Sequence, residues 1–407
     1  MIRVSEALDA ILSCVHALGS ERVMTSQALG RVLAEDIVSD ITIPPLDNSA
    51  MDGYAVRLVD IAALPARLRV VGDLPAGSCF DAVIGPGEAL RIMTGAPVPD
   101  GADAVIRQEI TRRDGDFVEI LEQESAANIR FAGEDIKAGA RVMEAGICLR
   151  PAHIGVLASI KRSSISVCQR PRVAILSTGD ELVDIDGNLG GGKIVSSNSY
   201  SLAALVRENG GTPIMLGIAR DTPEDLRACF EQGMHADIIL SSGGVSVGDY
   251  DFVKDVLQDM GAEMSFWKVA MRPGRPLAFG MMGTTPAFGL PGNPVSAMIS
   301  FEQFVRPAMR KMSGLQNIFR RTLIAVADEP VETKTGLTYF LRCRVHQDTD
   351  GYHVRTTGAQ GSGILMSMAE ANALMIVSET AGSVQAGDRV EVQILDSEFD
   401  MTADQQF

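Results

Sequence analysis

From about residue 172 to residue 314, short apolar runs alternate with helix-like stretches, and this alternation limits the fold more than any other feature of the chain. Residues 172–177 form a run rich in branched side chains that ends at Thr178-Gly179-Asp180. A helical pattern over 199–209 stops at Gly210-Gly211, and 213–218 reads as a second strand. Thr222-Pro223-Glu224-Asp225 supplies an N-cap, a proline in the first turn and early acids, the marks of a helix start. A third strand at 237–240, a turn over 241–248 and a helix near 251–260 complete the series. Strands alternating with helices predict a mostly parallel, doubly wound α/β sheet.

The flanks have a different texture. Between 43 and 136, β-like runs such as 68–71, 104–108 and 117–121 are broken by glycine and proline. From 321 onward the pattern returns at 322–326, 339–345, 352–356, 374–377 and 389–394. Both flanks predict small β-rich domains of barrel or sandwich type. At the N-terminus, Val4, Leu8, Ile11, Leu12, Val15 and Leu18 fall on one helix face, with Glu6 and Asp9 where an export signal would be basic or apolar.

At roughly 150 residues per domain, 407 residues should hold two to four domains. Apolar residues at 46% and charged residues at 22% exclude wholesale disorder. No apolar run approaches the roughly 20 residues a membrane span needs. A net charge of −16 repels nucleic acids and anionic membranes, so neither is expected as a partner. The six cysteines are far apart and contain no CxxC pair, which suits reduced thiols in a cytoplasmic protein.

In open α/β sheets ligands lie beyond the carboxyl ends of the strands. Three such ends carry clustered polar residues: Ser177-Thr178-Gly179-Asp180-Glu181, Arg220-Asp221, and the glycine-rich 241–248 with Gly243, Gly244 and Ser246. Backbone N–H groups of the third can converge on an anion at a helix start, although a plain tight turn has the same composition. It is neither a GxGxxG fingerprint nor a Walker A loop, which argues against a dinucleotide dehydrogenase or a P-loop NTPase. Asp180, Glu181, Asp221, Asp249 and Asp251 are oxygen donors of the kind Mg²⁺ takes beside phosphates, and Asp221, before Thr-Pro, also reads as a helix cap. Lys268, Arg272 and Arg275, stiffened by Pro273 and Pro276, read as an anion clamp or as ordinary surface charge. Leu290-Pro291-Gly292-Asn293-Pro294 is a rigid turn opening a long apolar helix. No histidines pair at metal-ligand spacing, and no GxSxG elbow is present.

Together these segments resemble the MoeA/gephyrin E-domain family of molybdopterin molybdenumtransferases. The resemblance rests on Asp47-Asn48-Ser49-Ala50-Met51-Asp52-Gly53-Tyr54-Ala55-Val56, residues 91–101, Gly133-Glu134-Asp135-Ile136, 177–182, 241–248, Pro273-Gly274-Arg275-Pro276, 289–297 and Thr357-Gly358-Ala359-Gln360-Gly361-Ser362. It implies a helix (1–19) packed on a molybdopterin-binding α/β domain (171–320), a connector (20–43 and 138–170), an inserted β-rich domain (44–137) and a C-terminal β-barrel (321–407). It further implies a homodimer with shared active sites that places molybdate on the dithiolene of adenylylated molybdopterin, with Mg²⁺, releasing AMP. A molybdopterin adenylyltransferase and molybdoenzyme targets would be its partners. By motif, Asp52, Thr94, Asp135, Glu181 and Asp251 would be catalytic, and Glu181, Asp221 and Asp251 would meet the metal. Ser177, Thr178, Gly179, Asp221, Gly243, Gly244, Ser246, Lys268, Arg272, Arg275, Pro291 and Pro294 would bind the substrate, with Arg342 and Ser362 holding molybdate. Arg272 and Arg275 stand where the family's Lys-Pro-Gly-Lys-Pro element leads one to expect at least one lysine, so charge carries over but contact geometry need not. The adenylyltransferase itself and a non-catalytic scaffold are the competing readings.

Overall fold

The computed structural model describes residues 1–124, 127–244, 252–396 and 398–399. The chain divides into two compact units, one made of residues 22–167 and the other of 1–21 with 168–407.

In the larger unit, helix α1 (Val4–Cys14) precedes the α/β sheet. In the smaller unit, a six-stranded sheet is built from β1 (Gly53–Val56), β2 (Ala66–Leu74), β3 (Glu88–Ile92), β4 (Ala104–Arg107), β5 (Thr111–Asp114) and β6 (Phe117–Ile120). Their order is β4-β1-β3-β2-β6-β5. Tyr54 and Val56 join Ala104 and Ile106 in one core, while Ala55 joins Leu90, Ile92 and Val105 in another. Alternate residues of the central strands therefore face opposite cores, as the period of two requires.

The larger unit carries β7 (Arg172–Thr178), α2 (Ser197–Glu208), β8 (Thr212–Ala219), α3 (Pro223–Gly233), β9 (Ile238–Ser242), α4 (Phe252–Asp259), β10 (Glu263–Phe266), β11 (Ala278–Met282), β12 (Thr285–Leu290) and α5 (Pro294–Ser300). The sheet order is β8-β7-β9-β12-β11-β10. β8, β7, β9 and β12 are parallel; β11 runs antiparallel to β12, and β10 antiparallel to β11. Val173, Ile175, Ile238 and Leu240 face one core with α1 and α2, whereas Ala174, Leu176 and Ile239 face a second with α3 and α4. Helices thus cover both faces, which is why β7 and β9 read as unbroken apolar runs.

Helix α5 continues through a π-turn (Phe301–Val305) into Arg306–Met312. Pro307 has no N–H to offer the preceding turn, which favours the wider winding there. Beyond it come β13 (Thr322–Ala327), β14 (Thr338–Asp348), β15 (Gly351–Thr356), β16 (Ala373–Val377) and β17 (Arg389–Ile394). They run β14-β15-β13-β17-β16, and pairing of β16 back to β14 closes a barrel around Cys343, Val354, Met375 and Val392. Met271 and Arg272 add to its edge beside Thr338 and Tyr339.

Candidate functional site

β7 leads to β8 on one side and the chain returns to β9 on the other, so the strand order reverses between β7 and β9. Such a switch point leaves a crevice at the carboxyl ends of the strands. A cleft of 790 Å³ lies there, lined among others by Ser177, Thr178, Gly179, Glu181, Asp221, Gly243, Gly244, Pro291 and Pro294. Nine of the sequence-selected residues thus meet in one cavity.

Glycine at 243 and 244 is required by geometry. Gly243 has φ +98°, and a Cβ there would lie 2.5 Å from the Thr178 carbonyl oxygen. Gly244 has φ +63°, and its Cβ would sit 2.5 Å from Val253 Cγ2. Bare backbone therefore lines this wall.

Two helix starts face the cleft: Ser196, Ser197 and Asn198 at α2, and Asn293, Pro294 and Ser296 at α5. Neither N-cap residue, Ser196 nor Asn293, makes a side-chain capping bond. The first N–H groups of α2 and the positive dipole ends suit phosphate oxygens, whereas at α5 Pro294 has no N–H and the Val295 N–H is given to the Ser362 carbonyl.

The Thr178 hydroxyl donates to Asp221, whose own N–H reaches Asp180 Oδ1 at 3.4 Å. The helix cap is instead Thr222, which accepts from the Asp225 N–H, so Asp221 is left to face the cleft. A Cβ at Gly179 would meet the Glu181 carboxylate at 2.7 Å, so that carboxylate folds over the glycine. Among the described residues no three His, Cys, Asp or Glu side chains converge as a protein-only metal cage. Mg²⁺ commonly takes one or two carboxylates and completes its shell with water and substrate phosphates, so Asp221 and Glu181 fit that ion.

At the cleft wall the Ser177, Ser196 and Ser199 hydroxyls form a ring at 2.7–3.0 Å. Asn198 Nδ2 donates to Ser242 Oγ and to the Gly292 carbonyl, both at 2.8 Å. It ties the end of β9 to the Pro291–Pro294 turn. Sequence reasoning passed over Asn198; the polar run Ser196-Ser197-Asn198-Ser199 at a helix start was its only signal.

A second chamber of 260 Å³ is lined by Arg272, Arg342 and Gln360 among others. Arg342 is 0% exposed. Its Nε donates to Ser367 Oγ and its Nη2 to the Gly361 carbonyl, both at 3.0 Å, while Nη1 has no partner. Burial pushes this guanidinium down to about 10. Ser362 is not on that lining; its carbonyl accepts the Val295 N–H at 3.2 Å, and its neighbour Gly363 lines the cleft. Lys268 and Arg275 are exposed and line neither cavity.

Asp52, Thr94 and Asp135 belong to the smaller unit. The Thr94 N–H and hydroxyl both donate to Asp52 Oδ1 at 2.7 Å. Those bonds, backbone first, hold the Asp52 carboxyl below the usual carboxylate range, with Arg91 adding a smaller pull. Asp135 is exposed, and its N–H donates to the Ile43 carbonyl. Ser246, Asp249 and Asp251 lie outside the described residues.

A doubly wound α/β domain with a cleft at its switch point, a closed β-barrel and a separate β-rich unit define the class as a multidomain α/β-plus-β protein. Comparison with known proteins then narrows the class. Residues 2–160 match the MoeA N-terminal region (domain I and II), 174–311 a probable molybdopterin binding domain, and 325–395 the MoeA C-terminal region (domain IV). A molybdopterin molybdenumtransferase of Nostoc is 38% identical over 96% of this chain and 93% of its own length. That of Haemophilus influenzae is 37% identical over 92% and 93%. The crystal structure of a molybdopterin biosynthesis MoeA protein from Pyrococcus horikoshii superposes with a TM-score of 0.81 at 31% identity, covering 97% of this chain and 100% of that one. The chain belongs to the MoeA family of molybdopterin molybdenumtransferases. It is a transferase of molybdenum cofactor biosynthesis with molybdopterin as substrate. No helix among its described residues is long and apolar enough to cross a membrane.

Proposed function

We propose that the enzyme inserts molybdate into the dithiolene of adenylylated molybdopterin and releases AMP. The observation that carries this reading is the buried Arg342, whose Nη1 has no partner in a chamber that also holds Arg272. An uncompensated buried cation is costly, and a bound dianion relieves that cost. In the cleft, Gly243 and Gly244 offer close backbone approach, the start of α2 offers N–H groups to phosphate oxygens, and α5 adds the positive end of its dipole. Asp221, steadied by Thr178, and Glu181 would hold Mg²⁺. Bound there, Mg²⁺ would neutralise phosphate charge as the pyrophosphate bond breaks. Asp52, fixed by Thr94, and Asp135 stand as further catalytic candidates, and Lys268, Arg275 and Ser362 as substrate-binding ones. The working form would be a cytoplasmic homodimer with shared active sites, receiving its substrate from an adenylyltransferase and passing product to molybdoenzymes.

The test is to mix the protein with adenylylated molybdopterin, Mg²⁺ and molybdate and to follow AMP release. Release should require all three. Arg342→Ala should raise the molybdate needed for half-maximal rate at least about tenfold, because each charge-assisted bond to an oxyanion is worth about 1.5–3 kcal/mol. AMP release indifferent to molybdate, or an unchanged titration in the variant, rejects the reading.

A further inference from the structure

Among the described residues, four buried side-chain polar atoms lack any hydrogen-bond partner: Ser300 Oγ, Arg306 Nε, Thr333 Oγ1 and Arg342 Nη1. Two of the four residues, Thr333 and Arg342, line the same 260 Å³ chamber. Leaving a buried donor unpaired costs a desolvation penalty with nothing in return, so two such groups around one cavity indicate a missing common acceptor.

Two other polar groups of the chamber, Gln360 and the Tyr339 hydroxyl, already have partners. Gln360 donates from Nε2 to the Arg342 and Gly358 carbonyls and accepts the Arg342 N–H at Oε1. The Tyr339 hydroxyl accepts the Lys334 N–H at 3.1 Å. Thr333 itself is fixed from behind. It follows the strand pair Val331–Glu332 with Ser383–Val384, and its N–H donates to the Gly382 carbonyl. Its main chain is therefore anchored while its hydroxyl has no partner.

Charge agrees with this census. The lining carries Arg272, Lys334 and Arg342 against the single carboxylate of Glu332. That is a formal surplus of two positive charges in a chain of net charge −16. A tetrahedral dianion balances it.

The geometry points to Thr333 as a ligand of the oxyanion held by Arg342, its hydroxyl donating to one oxygen while the guanidinium Nη1 donates to another. This rests on the proposed reading of the chamber as the oxyanion site and adds to it a neutral donor from a separate loop. Arginine supplies most of the attraction; a fixed hydroxyl adds direction, because its single proton rewards an oxygen at one place.

The experiment titrates sodium molybdate into wild type, Thr333→Val, Thr333→Ser and Arg342→Ala by calorimetry, with sulfate and phosphate as parallel arms identifying which dianion the chamber takes. Valine keeps the shape and removes the hydroxyl. It should weaken binding of the preferred dianion about tenfold, the worth of one hydrogen bond to a charged partner. Serine should restore binding to within about twofold, and thermal unfolding of both Thr333 variants should match wild type. If Arg342→Ala weakens binding and Thr333→Val weakens it for none of the three ions, the role of Thr333 is overturned and the chamber stands. If Arg342→Ala also changes nothing, the chamber itself is not the oxyanion site.

Discussion

Gly243 and Gly292 are 3.8 Å apart at closest approach to an added Cβ, yet they should respond oppositely to alanine. At Gly243 the backbone is left-handed and the methyl would meet the Thr178 carbonyl at 2.5 Å, so Gly243→Ala combines about 1–2 kcal/mol of backbone strain with a clash against main chain. At Gly292 the methyl would make only an ordinary 3.8 Å contact with Gly243 Cα, and Gly292→Ala should stay within about 0.5 kcal/mol of wild type. Urea unfolding of the two variants separates these outcomes; equal stability would mean that the Gly243 wall is not rigid. Asn198→Ala should remove the tie between β9 and the Pro291–Pro294 turn and leave the buried Ser242 hydroxyl without its donor. A cost of about 1–3 kcal/mol is expected, with molybdopterin binding weakened more than molybdate binding. Unequal legibility of the two cavities follows from the same residues. Glycines and carboxylates at strand ends mark themselves in sequence, whereas Thr333 and Asn198 are ordinary polar residues until the fold surrounds them.

Among the elements, β7, β8 and β9 were legible because burial on both faces, or a start beside glycine and proline, leaves a compact apolar run. Strands β10 and β11 were not: Glu263, Ser265 and Gly280 interrupt their pattern, and no helix separates β11 from β12 to suggest a crossover. Barrel closure was beyond periodicity too, since the β14–β16 pairing joins residues 30 to 38 positions apart. The β14–β15 hairpin carries its own testable device. His353 on β15 meets Asp328 at Nδ1 and Asp350 at Nε2, both at 3.0 Å, and lies beside the His346 ring. The hydrogen bonds to Asp328 and then Asp350 raise His353 above its ordinary 6.5, because only the imidazolium can donate to both carboxylates. Its folded-state value being raised, the bracket's stabilisation is fully present below the unfolded value and is lost as pH rises through the folded one. His353→Gln should therefore lower the melting temperature at about pH 5 and match wild type near about pH 9. A gap that is constant with pH would show that the bracket is held by shape and not by charge.

At the scale of the whole molecule, each hydrophobic cluster among the described residues lies within a single unit. Residues 22–167 hold the clusters around Ile106, Leu33 and Leu90, and the remaining chain holds those around Leu240, Leu226 and the barrel. A unit with its own core can lose it in a separate cooperative step, so calorimetry should resolve more than one transition. Core truncations then assign the transitions. Ile106 is 1% exposed and Leu240 0%, and truncating either to alanine should cost about 2–5 kcal/mol. At roughly 2–4 °C per kcal/mol for units of this size, that is a shift of about 4–20 °C in one transition. Ile106→Ala should move only the step belonging to residues 22–167, and Leu240→Ala only a step of the other unit. The double variant should show both shifts independently, since sites with no shared partners add. A single transition displaced equally by either truncation would mean that the two units unfold as one, and that separate cores do not make separate cooperative blocks in this chain.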